Sequence, residues 1–147
     1  MIRPEDPCRL LNQADVETVL GEPVGRPFDP SVILGYPPFA VVGMRFCGLR
    51  TESKAASIQV GVASTYARDV FEQHNERPNN AENYKPVGGF GDEAVRLTLG
   101  LGTGQNMLVL QGRHVVGIAV SFGRGDVAYV EERSNRATTK ILQRLAP

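Results

Sequence analysis

The stretch from Val95 to Phe122 constrains this chain more than any other. Val95, Leu97 and Leu99 alternate with Arg96 and Thr98, an apolar run follows from Met107 to Gln111, and Val116, Ile118, Val120 and Phe122 fall two apart after His114. A period of two is that of a strand, whose side chains point to opposite faces in turn. Gln111-Gly112-Arg113 is a tight-turn signal between the last two runs. Parallel neighbours need a crossover of a dozen or more residues, so three strands joined by short turns form an antiparallel meander.

The preceding half supplies two more strands. Val41 to Leu49 reads as one, with Val42, Met44 and Phe46 on one face and Arg45 and Cys47 on the other, less apolar face. Ser57 to Ser64 reads as the second, with Ile58, Val60 and Val62 inward and Ser57, Gln59, Gly61 and Ala63 outward. Thr51-Glu-Ser-Lys between them suits a hairpin. Residues 23 to 40 carry five prolines and read as a wandering loop, with one edge strand near Val24 to Phe28. Residues 78 to 93, rich in Asn, Pro and Gly, read as a loop.

Three helices are expected. Asn12 caps the first, Val16, Val19 and Leu20 form its apolar stripe, and Gly21 and Pro23 end it. A second runs from Ser64 or Thr65 to about Asn75, with Ala67, Val70, Phe71 and His74 on its stripe. A third runs from about Val127 to Leu145, capped by Asp126, with Val130, Ala137, Ile141, Leu142 and Leu145 on one side. The expected fold is one α+β domain over residues 1–147, residues 1–7 being an extended lead-in. It is a single twisted antiparallel sheet of five or six strands with three helices packed mainly on one face.

Charge excludes partners rather than naming them. Sixteen Lys and Arg balance sixteen Asp and Glu, and a nucleic-acid binder needs a basic stripe, so none is expected as a partner. No apolar run approaches the roughly 18 residues of a membrane span. Met1-Ile-Arg-Pro-Glu-Asp-Pro lacks the apolar stretch of a signal peptide.

Cys8 and Cys47 are the only cysteines. Free core thiols are the default in a cytosolic protein. Against that default, one lies just before a helix and the other on the less apolar face of a strand, where a bridge would staple lead-in to sheet. Two cysteines alone fix no disulfide framework.

Other motifs are weaker. Gly100-Leu-Gly102-Thr-Gly104 leads into a strand, so no helix N-terminus is there to hold a phosphate, and a hairpin loop is the better reading. His74 and His114 have no ligand at metal spacing, and neither a metal nor a cofactor is expected. There is no Gly-x-Ser-x-Gly elbow. Arg124-Gly125-Asp126 reads as a turn and a helix cap rather than an adhesion signal. Gly88-Gly89-Phe90-Gly91-Asp92-Glu93 is more distinctive. Its simpler reading is a loop that needs positive φ, with Asp92 bonding local amides. Its functional reading lets the backbone approach a ligand, with Phe90 as lid and Asp92 or Glu93 as polar partner. The small outward residues Gly61, Ala63, Gly117 and Ala119 let a helix, or else a ligand, approach the sheet closely. Candidate ligand-binding residues are therefore Phe90, Asp92, Glu93, Gly61 and Gly117.

Asp6-Pro7-Cys8-Arg9-Leu10-Leu11, Ala14-Asp15-Val16, Val19-Leu20-Gly21-Glu22-Pro23-Val24, Arg45-Phe46-Cys47, and Val87-Gly88-Gly89-Phe90-Gly91-Asp92-Glu93-Ala94 together carry a resemblance. The chain is similar over most of its length to a large group of secreted lipoproteins and envelope proteins of unknown function, common in actinobacteria, the domain-of-unknown-function family 3558 lipoproteins. The resemblance implies a Cys8–Cys47 disulfide, an extracytoplasmic location with a signal peptide absent from this chain, and a lipid anchor upstream of it. Glu5-Asp6-Pro7-Cys8 is not a lipobox, so Cys8 is not the lipidated residue. The family supplies no catalytic residues. The expected function is a non-enzymatic binding or accessory module of the bacterial envelope that takes a protein, a peptide or a small apolar ligand. Two alternatives stand beside it: a small enzyme assembled in three dimensions around Asp92, Glu93, His114 and Arg96, and an inhibitor or structural partner of another envelope protein.

Overall fold

The computed structural model describes residues 6–28, 45–64, 68–69, 71–72, 84–99, 103–123 and 125–145. A 3-10 turn at Pro7–Leu10 leads into helix α1, Gln13–Leu20. The Asn12 side chain accepts the Asp15 amide hydrogen at 3.1 Å, which satisfies one of the free donors of the first turn. Gly21 closes the helix in the left-handed conformation. Six strands follow: β1 (Arg45–Arg50), β2 (Ala56–Ala63), β3 (Tyr84–Pro86), β4 (Glu93–Leu99), β5 (Gly104–Gln111) and β6 (His114–Phe122). Helix α2, Val127–Arg144, is the last described element, and Asp126 caps it by accepting the Tyr129 amide hydrogen at 2.8 Å.

The strands form one antiparallel sheet in the order β1-β2-β6-β5-β4-β3. The α+β class and the single sheet agree with the sequence pattern. Two complete helices are described, not three. Of the expected middle helix, residues 68, 69, 71 and 72 are helical; Ala67, Val70 and His74 lie outside the described residues. β3 is an addition, since it sits inside the segment read as loop. It is three residues long and carries Pro86, which an edge strand tolerates because it has no neighbour on one side. β5 begins at Gly104, before the apolar run, because Gln105 and Asn106 pair with Thr98 and Leu97 of β4. The expected edge strand near Val24 is reduced to two isolated bridges, Val24 to Thr51 and Phe28 to Gly48.

Both faces of the sheet are covered. On one, Ile58, Val60, Val62, Met107, Val109, Val116, Ile118 and Val120 pack with Val16, Val19 and Leu20 of α1 and Val130, Ala137 and Ile141 of α2. On the other, Ala63, Val95, Leu97, Leu108, Leu110 and Val115 pack with Phe71. Cys47 is wholly buried on the helix side, not on a less apolar face, and Phe46 points the other way. Cys8 and Cys47 are joined in a disulfide with 5.0 Å between their Cα atoms. The two helices are tied at both ends. Arg133 donates to the Thr18 carbonyl at 3.0 Å, and Arg144 pairs with Asp15 at 3.0 Å.

Candidate functional site

The residues singled out by sequence occupy separate places. Phe90 is half-buried against the helix-side core. Asp92 Oδ2 accepts the Gly112 amide hydrogen at 2.8 Å, and the Asp92 amide donates to Leu110 at 2.8 Å. Glu93 faces Arg68 at 3.8 Å, both exposed. Gly61 and Gly117 stand directly opposite each other on β2 and β6 and are buried, on the face that Phe71 covers.

The residues of the enzyme alternative are likewise apart. His114 Nδ1 is in a 2.8 Å hydrogen bond with Ser64 Oγ. Arg96 pairs with Glu131 at 3.1 Å and also bonds Asn135. Burial lowers the Arg96 pKa from its ordinary value, and the Glu131 carboxylate works against that shift. Among the described residues, Asp92, Glu93, Arg96 and His114 each bond to other partners and not to one another. Nor do three His, Cys, Asp or Glu side chains gather there to hold a metal ion.

A wide concavity among the described residues lies at the end of the sheet where β6 passes into α2. It has a volume of about 880 Å³, within the range of roughly 300–1,000 Å³ usual for ligand sites. Leu20 and Glu22 at the end of α1, Ser53, Ala55 and Ala56 at the β1–β2 turn, and Phe122, Asp126 and Tyr129 surround it. Register explains the apolar floor. Ala56 pairs with Phe122, so the first residue of β2 and the last of β6 point the same way beneath the helices. Tyr129 meets the Phe122 ring edge-on, with centroids 5.4 Å apart and planes at 72°. That T-shaped contact is a favoured aromatic geometry. The Arg133 guanidinium lies 5.0 Å from the centre of the Tyr129 ring, a cation–π distance that fixes the ring. Tyr129 is nonetheless 40% exposed.

Two of the groove's polar side chains are engaged within the fold. Ser53 Oγ is occupied by Thr51 Oγ1 at 3.1 Å and the Ala55 amide at 3.3 Å. Asp126 Oδ1 is spent on the cap. No His or Cys lines the groove among the described residues. Sequence reasoning placed Phe122 in the core and did not single out Tyr129. The available signal was an aromatic residue one step off the apolar stripe of α2, three positions after its cap.

No family model matches the chain, and no curated protein does. The solved structures that resemble it include these two. One is the extracellular domain of PknH from Mycobacterium tuberculosis, with a TM-score of 0.49 and 14% identity, covering 97% of each chain. The other is a GTP binding regulator from Thermotoga maritima, with a TM-score of 0.52 and 11% identity, covering 95% of this chain and 87% of that one. Identities this low speak to fold alone. The Thermotoga protein and this chain share an architecture.

Proposed function

We propose that this protein is a non-enzymatic binding module of the bacterial envelope, working outside the cytoplasm. Its groove at Phe122 and Tyr129 takes an apolar group from a peptide or a small ligand. The observation that carries this reading is the exposed Tyr129 ring, held over an apolar floor between Phe122 and Arg133. Burying an aromatic face against such a floor stabilises a complex by the area it removes from water. The Cys8–Cys47 bridge supports an oxidising compartment, where disulfides persist. No described helix is long and apolar enough to cross a membrane. The reading gives Asp92 a supporting part, through its bond to Gly112, and leaves ligand contact to the groove.

Titration with the neutral fluorophore N-phenyl-1-naphthylamine tests the groove. Saturable, one-to-one enhancement is expected. Tyr129→Ser should weaken it about tenfold or more, the equivalent of about 1.4 kcal/mol, while thermal unfolding stays cooperative. Ala55→Trp, which fills the groove from the hairpin side, should abolish it. Binding unchanged in both variants would overturn the assignment.

A further inference from the structure

On the other side of the first turn of α2 lies a second cavity of different character. Lys85, Pro86 and Val87 of the β3 region, Arg96 and Thr98 of β4, and Val127 and Glu131 of α2 enclose about 530 Å³. Lys85 and Arg96 stand directly opposite each other in the β3–β4 register, so their side chains share a face. Like charges in that relation destabilise a sheet. Glu131 answers Arg96 at 3.1 Å, but no described carboxylate pairs with Lys85. Two cations and one carboxylate leave the cavity with one net positive charge.

The guanidinium is fixed in place. Its side chain is 12% exposed and is held by Glu131 and Asn135, with Nε buried and unpartnered among the described residues. Beside it, Gln105 is cross-strand partner to Thr98, is 0% exposed, and has neither amide atom bonded among the described residues. A buried polar group left without a partner costs about 1–3 kcal/mol, so this corner of the sheet carries unmet hydrogen-bonding capacity. The remaining walls are apolar, and Val127 is 44% exposed.

We propose that this cavity is a second binding site, for a small organic acid that carries one carboxylate on an apolar body. The carboxylate would lie between Lys85 and Arg96, within reach of the Thr98 hydroxyl, and the body against Pro86, Val87 and Val127. A single negative charge matches the net charge of the cavity. A dianion such as phosphate overcompensates it and meets the Glu131 carboxylate. The site is independent of the Phe122 groove.

The test is an amide-resolved NMR titration with benzoate, with benzamide and inorganic phosphate as controls. Benzoate should shift the signals of Lys85, Val87, Thr98 and Val127 saturably. Benzamide and phosphate should each bind about tenfold more weakly or worse. Lys85→Gln and Thr98→Val alter exposed side chains, so both variants should fold, and each should weaken benzoate binding at least about threefold. Tyr129→Ser should leave it unchanged. Equal affinity for benzamide, tighter binding of phosphate, indifference to Lys85→Gln, or shifts confined to the Phe122 groove would each overturn the proposal.

Discussion

Asp92 Oδ2 accepts the amide hydrogen of Gly112, 20 residues further along the chain, at 2.8 Å. The Asp92 amide donates to the Leu110 carbonyl at 2.8 Å. The loop before β4 is thereby stapled twice to the end of β5 and the turn that follows it. Asp92→Ala removes a charge-assisted acceptor at an exposed site, and should lower the free energy of unfolding by about 1 kcal/mol. Asp92→Asn keeps a carbonyl acceptor and should lose less. Urea denaturation of the two variants is the measurement. Equal stability of Asp92→Ala and the parent would show that the turn holds without its staple.

Gly91 and Gly89 make a matched pair for separating strain from collision. Both have positive φ, +54° and +90°. A Cβ on Gly91 would lie 2.6 Å from the Leu110 carbonyl oxygen, whereas one on Gly89 meets nothing within 4 Å. Gly89→Ala should therefore cost only the left-handed strain, about 1–2 kcal/mol. Gly91→Ala must also push the loop off β5 and should cost clearly more. Paired thermal melts decide it, and equal losses would mean that the loop moves aside freely.

The Cys8–Cys47 bridge spans a sequence separation of 39. Chain entropy puts the stabilisation from closing such a loop at about 4 kcal/mol as an upper figure. The double variant Cys8→Ala with Cys47→Ala should lose about 2–4 kcal/mol, measured by guanidinium denaturation without reductant. Neither cysteine lines the Phe122 groove, so the folded fraction should still bind the neutral fluorophore. A loss of binding in protein that remains folded would place the bridge in the function itself.

The sequence made some of these features visible and hid others, for physical reasons. Asn12, Gly21 and Asp126 announced helix ends because capping depends on one side chain or one φ angle, both local. The meander was legible because Val116, Ile118, Val120 and Phe122 needed only one period and one turn. The face of Cys47 was not. Both sides of this sheet are covered, so the alternation around Phe46 and Cys47 carries little information about which side the helices take. β3 was hidden because three residues including a proline have no period to read. The groove was hidden because its walls come from the ends of four segments, each of ordinary composition. Only the register of Ala56 against Phe122, and the first turn of α2 above it, bring them together.

Arg133 links that groove to the packing of the two helices. Its guanidinium donates to the carbonyls of Thr18 at 3.0 Å and Val19 at 3.5 Å, and lies 5.0 Å from the Tyr129 ring centre. The last carbonyls of α1 have no partner within their own helix, and a cation there is favourable. Lysine has the charge but not the planar fork, so it cannot bond the carbonyls and stack on the ring together. Arg133→Lys should therefore cost about 1 kcal/mol of stability and release Tyr129, weakening fluorophore binding more than stability alone explains. In a double-mutant cycle with Tyr129→Leu, the stacked pair should show a coupling of about 0.5–1 kcal/mol. Additive losses would mean that Arg133 acts on the α1 carbonyls alone, leaving the Phe122 contact to set the position of Tyr129.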